Sequence, residues 1–144
     1  MIRSIFIQSE YSLLKSLIKI PDLVKEAVYQ KSSHLVLTDD NLGGLLEFIN
    51  HCQPFNLTPI VGLFTKIKFS NWEDFFIIIP KTPLGYQYLL EINYQQNLQG
   101  FISLNIVQTM SRELLFISAG LDSLAYQHLV HNNIGEAFKL MSYY

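Results

Sequence analysis

The first 62 residues alternate short apolar runs with amphipathic segments, and this alternation restricts the fold more than any other feature of the sequence. The apolar runs have the length of strands and cover residues 5–7, 34–37 and 58–62. The segment after the first run has apolar residues three and four positions apart, which is the spacing of a helix with one buried side, at Ile20, Leu23, Val24 and Ala27. Strands that alternate with helices predict right-handed crossovers and a largely parallel sheet.

The remainder of the chain continues this pattern. Apolar runs at residues 60–69, 75–80 and 114–118 predict further strands, the first two joined by a turn at 70–74. Helices are predicted from Leu42 to Cys52, from Thr82-Pro83 onward, and over residues 123–130 and 134–141, whereas residues 94–110 predict an irregular crossing with one short helix. We therefore expect one α/β domain over residues 1–144, with five or six strands alternating with helices.

Composition limits the partners and the compartment. Charged residues make up 15% of the chain, against a usual ~25%, while hydrophobic residues reach 49% and can fill a core. The net charge is −2 and no cluster of Lys or Arg exceeds two residues, so we expect little direct binding of nucleic acid. Cys52 is the single cysteine, and no apolar run approaches the ~20 residues of a membrane helix. The sequence predicts a cytoplasmic protein that does not enter the membrane.

Two adjacent carboxylates are the strongest chemical candidates. Asp39 and Asp40 end the run at 34–37, and α/β folds place active groups at the ends of strands. Glu10 is a third acidic residue that could assist them in binding a cation. The structural alternative, which we favour, is capping of the next helix, since an Asp at a helix N-terminus stabilises it by ~0.5–2 kcal/mol.

The order and spacing of these segments resemble the PHP (polymerase and histidinol phosphatase) domain at the N-terminus of bacterial DNA polymerase III alpha subunits. The likeness rests on two stretches that follow the first two strands, Gln8-Ser9-Glu10-Tyr11-Ser12-Leu13-Leu14 and Thr38-Asp39-Asp40-Asn41-Leu42-Gly43. It continues through residues 81–90 and 115–120 and to Glu136-Ala137. The resemblance implies an α/β barrel longer than 144 residues. This chain would then hold the first part of one, a partial parallel βα barrel.

The same resemblance implies metal ligands that this sequence lacks. The replacements are Ser4, Phe6 and Gln8 for first-strand histidines, Lys15 for an acidic residue, Asp40 for a histidine, Phe64 for an acidic residue and Gly120 for a cysteine or histidine. We therefore predict a degenerate site without catalytic residues, metal or cofactor, in which Glu10, Asp39 and Asp40 are the weak remaining candidates for ligands.

Two functions from different classes follow. The first is a non-catalytic structural or binding fragment of the PHP domain, whose parent would be a DNA polymerase III alpha subunit, a nucleotidyltransferase of DNA replication. Its partners would be the rest of the parent polymerase, a proofreading exonuclease subunit as a candidate, and a second copy of the chain through open sheet edges.

The alternative is an enzyme, a metal-dependent phosphoesterase with an atypical site around Glu10, Asp39 and Asp40. A third, weaker interpretation is a doubly wound α/β protein with an unrelated ligand. Whether the chain is an enzyme is left open by the sequence.

Overall fold

The computed structural model describes residues 4–69 and 72–141, and within them six helices and six strands form a mixed α/β fold. The helices are α1 (Ile20–Tyr29), α2 (Leu45–Cys52), α3 (Pro83–Gln99), α4 (Leu104–Met110), α5 (Leu124–Val130) and α6 (Ile134–Met141). The strands are β1 (His34–Leu37), β2 (Thr58–Val61), β3 (Leu63–Lys68), β4 (Glu73–Pro80), β5 (Ile102–Ser103) and β6 (Leu114–Ser118). The predicted α/β class is confirmed, and part of the predicted turn at 70–74 lies outside the described residues.

The strands form two sheets with different pairing. β1 and β2 pair in parallel, with His34 opposite Thr58. The second sheet has the order β5-β3-β4-β6, in which β3 pairs with β5 in parallel but β4 is antiparallel to both β3 and β6. The expected parallel pairing is therefore wrong for β4. Parallel neighbours need a connection of about a dozen residues or more, and the short link between β3 and β4 permits only a hairpin.

Residues 5–7, predicted as the first strand, lie beside β1 without forming one. The backbone nitrogen of Thr38 donates to the carbonyl of Ile7 at 2.8 Å. The backbone nitrogen of Ile7 donates in turn to the Thr38 hydroxyl at 3.1 Å, where a ladder would use a carbonyl. The Thr38 side chain thus replaces the next backbone bond, and the segment follows the end of β1 without widening the sheet.

Two main cores stabilise these layers. One lies between the four-stranded sheet and α3, whose Leu89 and Ile92 are fully buried against it. The other lies between α1, α2 and the two-stranded sheet, where Ile20 and Phe48 are fully buried. Burial of each such side chain contributes roughly 1.5–3 kcal/mol before the entropy of ordering is subtracted. The two cores place the ends of β1 and β3 next to the loop that precedes α1.

Helix α3 begins as predicted and extends farther than predicted. The Thr82 hydroxyl accepts a hydrogen bond from the backbone nitrogen of Gly85 at 3.1 Å, and Pro83 occupies the first turn. The helix ends at Gly100, whose φ of 76° is left-handed. The irregular crossing predicted over 94–110 is wrong for residues 94–99, which continue α3 because Gln is a good helix former despite its polarity, whereas the one short helix predicted in this range is present as α4. None of the helices in residues 4–69 and 72–141 has the length and apolar character that crossing a membrane requires.

Candidate functional site

Asp39 is the centre of a buried polar cluster at the end of β1. Its side chain is only 2% exposed, and one carboxylate oxygen accepts from the Ser9 backbone nitrogen at 2.6 Å and the Ser12 hydroxyl at 2.7 Å. The other oxygen accepts from the Ser9 hydroxyl at 2.6 Å. Both serines are fully buried. Hydrogen bonds to an ionised acceptor are short and strong, so this serine–aspartate cluster (Ser9, Ser12 and Asp39) fixes the loop of residues 9–18 onto β1.

The predicted capping of α2 by Asp39 and Asp40 is wrong. The helix begins at Leu45 with Gly44 as its N-cap residue, and no side chain caps it. The carboxylates are used elsewhere, Asp39 by the two serines and Asp40 by a lysine, and several residues separate them from the first turn. Their role in the structure is therefore to bind the loop before α1 and not the helix after them.

The intervening turn is held by Asn41 instead. Its side-chain oxygen accepts from the Gly43 backbone nitrogen at 2.8 Å, and its side-chain nitrogen donates to the Tyr11 carbonyl at 2.7 Å. The Tyr11 ring lies so close to Gly44 that a Cβ there would be 2.6 Å from a ring carbon. The Tyr11 hydroxyl donates to Glu47 at 2.7 Å, and this bond to a carboxylate raises the pKa of Tyr11. The two glycines thus make room for an aromatic ring.

Asp40 forms an ion pair with Lys15. The Lys15 ammonium nitrogen is 3.0 Å from an Asp40 carboxylate oxygen, and the Asp40 side chain is 24% exposed. The Asp40 backbone is also fixed, since its nitrogen donates to the Ser12 hydroxyl at 3.1 Å and its carbonyl accepts from the Gln96 amide at 2.8 Å. Asp40 therefore connects the loop of residues 9–18 with α3.

The positions that the resemblance assigned to metal ligands surround one cleft. A cavity of about 420 Å³ is lined by Phe6, Gln8, Lys15, Phe64, Phe75 and Asp122. A neighbouring cavity of about 390 Å³ shares Phe6 and Asp122 and includes Gly120. Five of the seven predicted replacements therefore line these two cavities, although they are far apart in sequence. Of the other two, Asp40 reaches the cleft through Lys15, and the Ser4 hydroxyl bonds within its own segment, to the Phe6 carbonyl at 3.0 Å.

Three phenylalanines form a stack along this cleft, which we call the aromatic column (Phe6, Phe64 and Phe75). The centroid of the Phe64 ring is 5.2 Å from that of Phe6 and 5.1 Å from that of Phe75. The Lys15 ammonium lies 5.0 Å from the Phe64 centroid, and that of Lys66 lies 5.5 Å from the Phe75 centroid. Sequence reasoning missed the column. Recognising the β3–β4 hairpin would have indicated it, because Phe64 and Phe75 are diagonal neighbours in its register.

A divalent cation does not fit the side chains of this cleft. Metal sites need several convergent nitrogen or oxygen ligands, whereas Phe64 supplies none and Lys15 is itself a cation. Gln8 and Asp122 also line the cleft, but one amide oxygen and one carboxylate are fewer oxygen ligands than a divalent cation needs. Across the described ranges 4–69 and 72–141, no three or more His, Cys, Asp or Glu residues are grouped so that they could hold a metal ion. The weak candidates Glu10, Asp39 and Asp40 do not make up such a group.

The chain is similar to one protein family and to several known proteins. The PHP domain family model matches residues 6–144. DNA polymerase III subunit alpha of Halalkalibacterium halodurans is 34% identical over 91 residues, which cover 62% of this chain and 8% of that protein. The subunit of the same name from Borreliella burgdorferi is 28% identical over 148 residues, covering 91% of this chain and 13% of that protein. Among solved structures, an amidohydrolase from Chromobacterium violaceum aligns over 65% of this chain and 34% of its own, with a TM-score of 0.47 and 18% identity.

These matches cover a small fraction of the relatives, 8% and 13% of the two polymerase subunits. They cover most of this chain, and the predicted resemblance to the PHP domain of DNA polymerase III alpha subunits is confirmed. Because the family model extends over residues 6–144, nearly the whole sequence, the chain belongs to the PHP domain family.

Proposed function

We propose that this chain is a non-catalytic structural and binding module, corresponding to part of the PHP domain of a DNA polymerase III alpha subunit, and that it acts in DNA replication in the cytoplasm. The observation that carries the proposal is the Lys15–Phe64 contact, with the ammonium 5.0 Å from the ring centroid, at two positions where the resemblance places acidic ligands. A cation and an apolar ring together remove both the charge and the donor atoms of a metal site.

Hydrolysis of phosphoesters by a metal-dependent enzyme needs a metal held by several ligands with one position open to water or substrate. Here Asp39 already accepts three hydrogen bonds from the serines, and Asp40 is paired with Lys15. Neither carboxylate is left with the freedom that a ligand to metal and water would need. This supports a fold that is retained for its shape and surfaces.

The catalytic part of the proposal is tested with a chromogenic phosphodiester, in the presence of Mn²⁺ or Zn²⁺. We expect no hydrolysis above that of buffer with metal. A metal-stimulated rate that disappears in Asp40→Asn would contradict the proposal and favour the phosphoesterase alternative. Asp22→Asn is the matched control, since Asp22 is an exposed residue that also pairs with a lysine.

The partner would be protein and not DNA. The chain has ten basic and twelve acidic residues, and the affinity of nucleic-acid binding depends on phosphate neutralisation by clustered Lys and Arg. We propose the rest of the alpha subunit as the main partner and a proofreading exonuclease subunit as a candidate second one. The two relatives extend far beyond the region that this chain matches, so the remaining part of such an alpha subunit can be tested as the binding partner.

Binding is measured by calorimetry against a relative's alpha subunit from which the matched PHP region has been removed, and separately against the exonuclease. We expect saturable binding to the truncated subunit. Fluorescence anisotropy with single-stranded and duplex DNA should give a dissociation constant weaker than ~10⁻⁴ M, the weak end of non-specific binding. Tight DNA binding, with none to either protein, would overturn the proposal.

A further inference from the structure

Lys15 lies where three segments of the chain meet: the loop of residues 9–18, the end of β1 and the start of β3. Its ammonium is 3.0 Å from an Asp40 carboxylate oxygen and 5.0 Å from the centroid of the Phe64 ring. We propose that the Lys15 ammonium is the built-in cation of this cleft, and that it holds the three segments together in place of a bound divalent metal. This inference concerns the architecture of the chain and does not depend on the polymerase assignment.

Lys15 is the cation that lies among the carboxylates at this cleft. Asp39 and Asp40 are adjacent carboxylates, and Asp122 lines the same cavity as Lys15. Asp39 is satisfied by the uncharged donors of two serines, and Asp122 is exposed to solvent. One oxygen of Asp40 accepts from the Asn41 amide at 3.0 Å, and the other is the oxygen that pairs with Lys15. The Lys15 ammonium supplies the positive charge from the loop of residues 9–18.

Partial burial distinguishes this ion pair from the exposed pair of Lys25 and Asp22. The Lys66–Glu73 pair is similarly buried, at 35% and 39% exposed, but it lies within the β3–β4 hairpin and joins no third segment. The side chains of Lys15 and Asp40 are 44% and 24% exposed, whereas those of Lys25 and Asp22, which pair at 3.4 Å, are 74% and 66% exposed. An exposed pair contributes little because water and salt screen it. The Lys15 ammonium gains a second interaction with the face of Phe64, whose ring is 5% exposed and held between the other two rings of the aromatic column.

The conformation of the loop supports the same inference. Leu13 and Leu14 are 78% and 107% exposed, and Leu14 has a φ of 62°, which is rare for a leucine. The loop therefore leaves two leucines in water and adopts a strained backbone, while the charged residue that follows is directed to the cleft. Hydrophobicity alone would produce the opposite arrangement. The free-energy cost of the observed loop conformation is offset by the serine–aspartate cluster and by the interactions of Lys15.

The test compares Lys15→Met, which keeps most of the length of the side chain and removes its charge, with Lys15→Arg and with the matched control Lys25→Met. We expect Lys15→Met to lower the melting temperature by about 2–4 °C more than the control does, the shift that a single interaction produces in a chain of this size. Lys15→Arg should retain most of the stability, because it retains the cation. Addition of Mn²⁺, Zn²⁺ or a chelator should leave the melting temperature of the wild type unchanged.

A double-mutant cycle of Lys15→Met with Asp40→Asn assigns the effect to the pair, since the two shifts should not add if the residues act together. Equal shifts for Lys15→Met and Lys25→Met would overturn the inference. So would stoichiometric Mn²⁺ or Zn²⁺ binding to the wild type, measured by calorimetry, that Asp40→Asn abolishes. If Lys15→Met does not fold, Lys15→Arg and the metal titration of the wild type decide the question.

Discussion

At the scale of single residues, Asp39 differs from an ordinary acidic side chain in that uncharged groups satisfy its carboxylate. The donors are the Ser9 backbone nitrogen and the Ser9 and Ser12 hydroxyls, all of them buried. Hydrogen bonds to a charged group contribute roughly 1.5–3 kcal/mol each, about twice the value for neutral pairs. Residue 39 therefore needs a side chain in which both terminal atoms accept hydrogen bonds.

We expect Asp39→Asn to lower the free energy of unfolding by about 1–3 kcal/mol, because one amide hydrogen-bond donor would then face donors in a buried site. The capping interpretation predicts little change in the free energy of unfolding, since Asn caps about as well as Asp. Urea unfolding followed by circular dichroism measures the difference. Asp22→Asn is the control, and a loss no larger than in that variant would contradict the role of the cluster.

Cys52 gives a prediction for alkaline pH. The side chain is fully buried on α2, and burial raises its pKa from the ordinary 9.0 to about 11. Below pH 9 the thiol is neutral in both states. Between pH 9 and 11 only the unfolded thiol ionises, so the free energy of unfolding should fall by up to about 1.4 kcal/mol per pH unit from this group. Cys52→Ala should be less stable at neutral pH but show a smaller decrease over this interval. An identical decrease in both proteins would contradict the assignment.

At the scale of secondary-structure elements, the contact of α3 with the segment before β6 depends on the absence of a side chain. Gly85 lies in the first turn of α3, and a Cβ at this position would be 2.2 Å from the Glu113 carbonyl oxygen. The backbone nitrogen of Lys81 donates to the same carbonyl at 2.9 Å. The start of the helix and the start of the strand are therefore in direct backbone contact.

Gly85→Ala should destabilise the protein by about 1–3 kcal/mol, because the added methyl group forces the backbone of Glu113 to move. Helix propensity alone predicts the opposite sign, a gain of about 1 kcal/mol. Gly135 is the matched control, since it lies in α6 and a Cβ added there would have no neighbouring atom within 4 Å. Gly135→Ala should be neutral or stabilising. Thermal unfolding of both variants tests the pair, and a stable Gly85→Ala would show that this contact is loose.

Elements could be recognised from the sequence where their signals are local. β1 covers residues 34–37 as predicted, and Thr82 caps α3 because the capping residues are adjacent in the chain. The pairing of β3 with β4 had a local signal, the short turn that joins them without a helix. The rest of the pairing had none, because the alternation of strands and helices is the same for a parallel and a mixed sheet. The Lys15–Asp40 pair joins residues far apart in sequence, and the local pattern carries no signal for it. The Phe64–Phe75 part of the aromatic column could be inferred only once the hairpin is recognised.

At the scale of the whole molecule, the four-stranded sheet ends in two unequal edges. The strand at one edge, β5, is only two residues long. On the other, β6 has five uncharged residues and pairs with β4 alone among the described strands. Leu115 at this edge is 46% exposed. An apolar edge without charge or proline favours pairing with another strand, so the predicted association between copies of the chain is best placed at β6.

We expect the chain to dimerise as its concentration rises, and Leu115→Lys to prevent this, since a lysine on an edge strand opposes pairing. Light scattering over a concentration series measures the mass. Leu46→Lys on α2 is the control, because Leu46 is 70% exposed and lies far from β6 in the order of elements. A monomer at every concentration, or a dimer that persists in Leu115→Lys, would contradict this assignment.

The attachment of residues 5–7 through the Thr38 side chain has a kinetic consequence. A regular ladder opens cooperatively, whereas a segment held by hydrogen bonds to one threonine, through its backbone nitrogen and its hydroxyl, can detach while β1 and β2 remain paired. Its detachment would uncover the Phe6 side of the aromatic column and admit water to the cleft without unfolding either core. The amide of Ile7 should then exchange its hydrogen through local opening, and the amides between β1 and β2 only through opening of the larger unit.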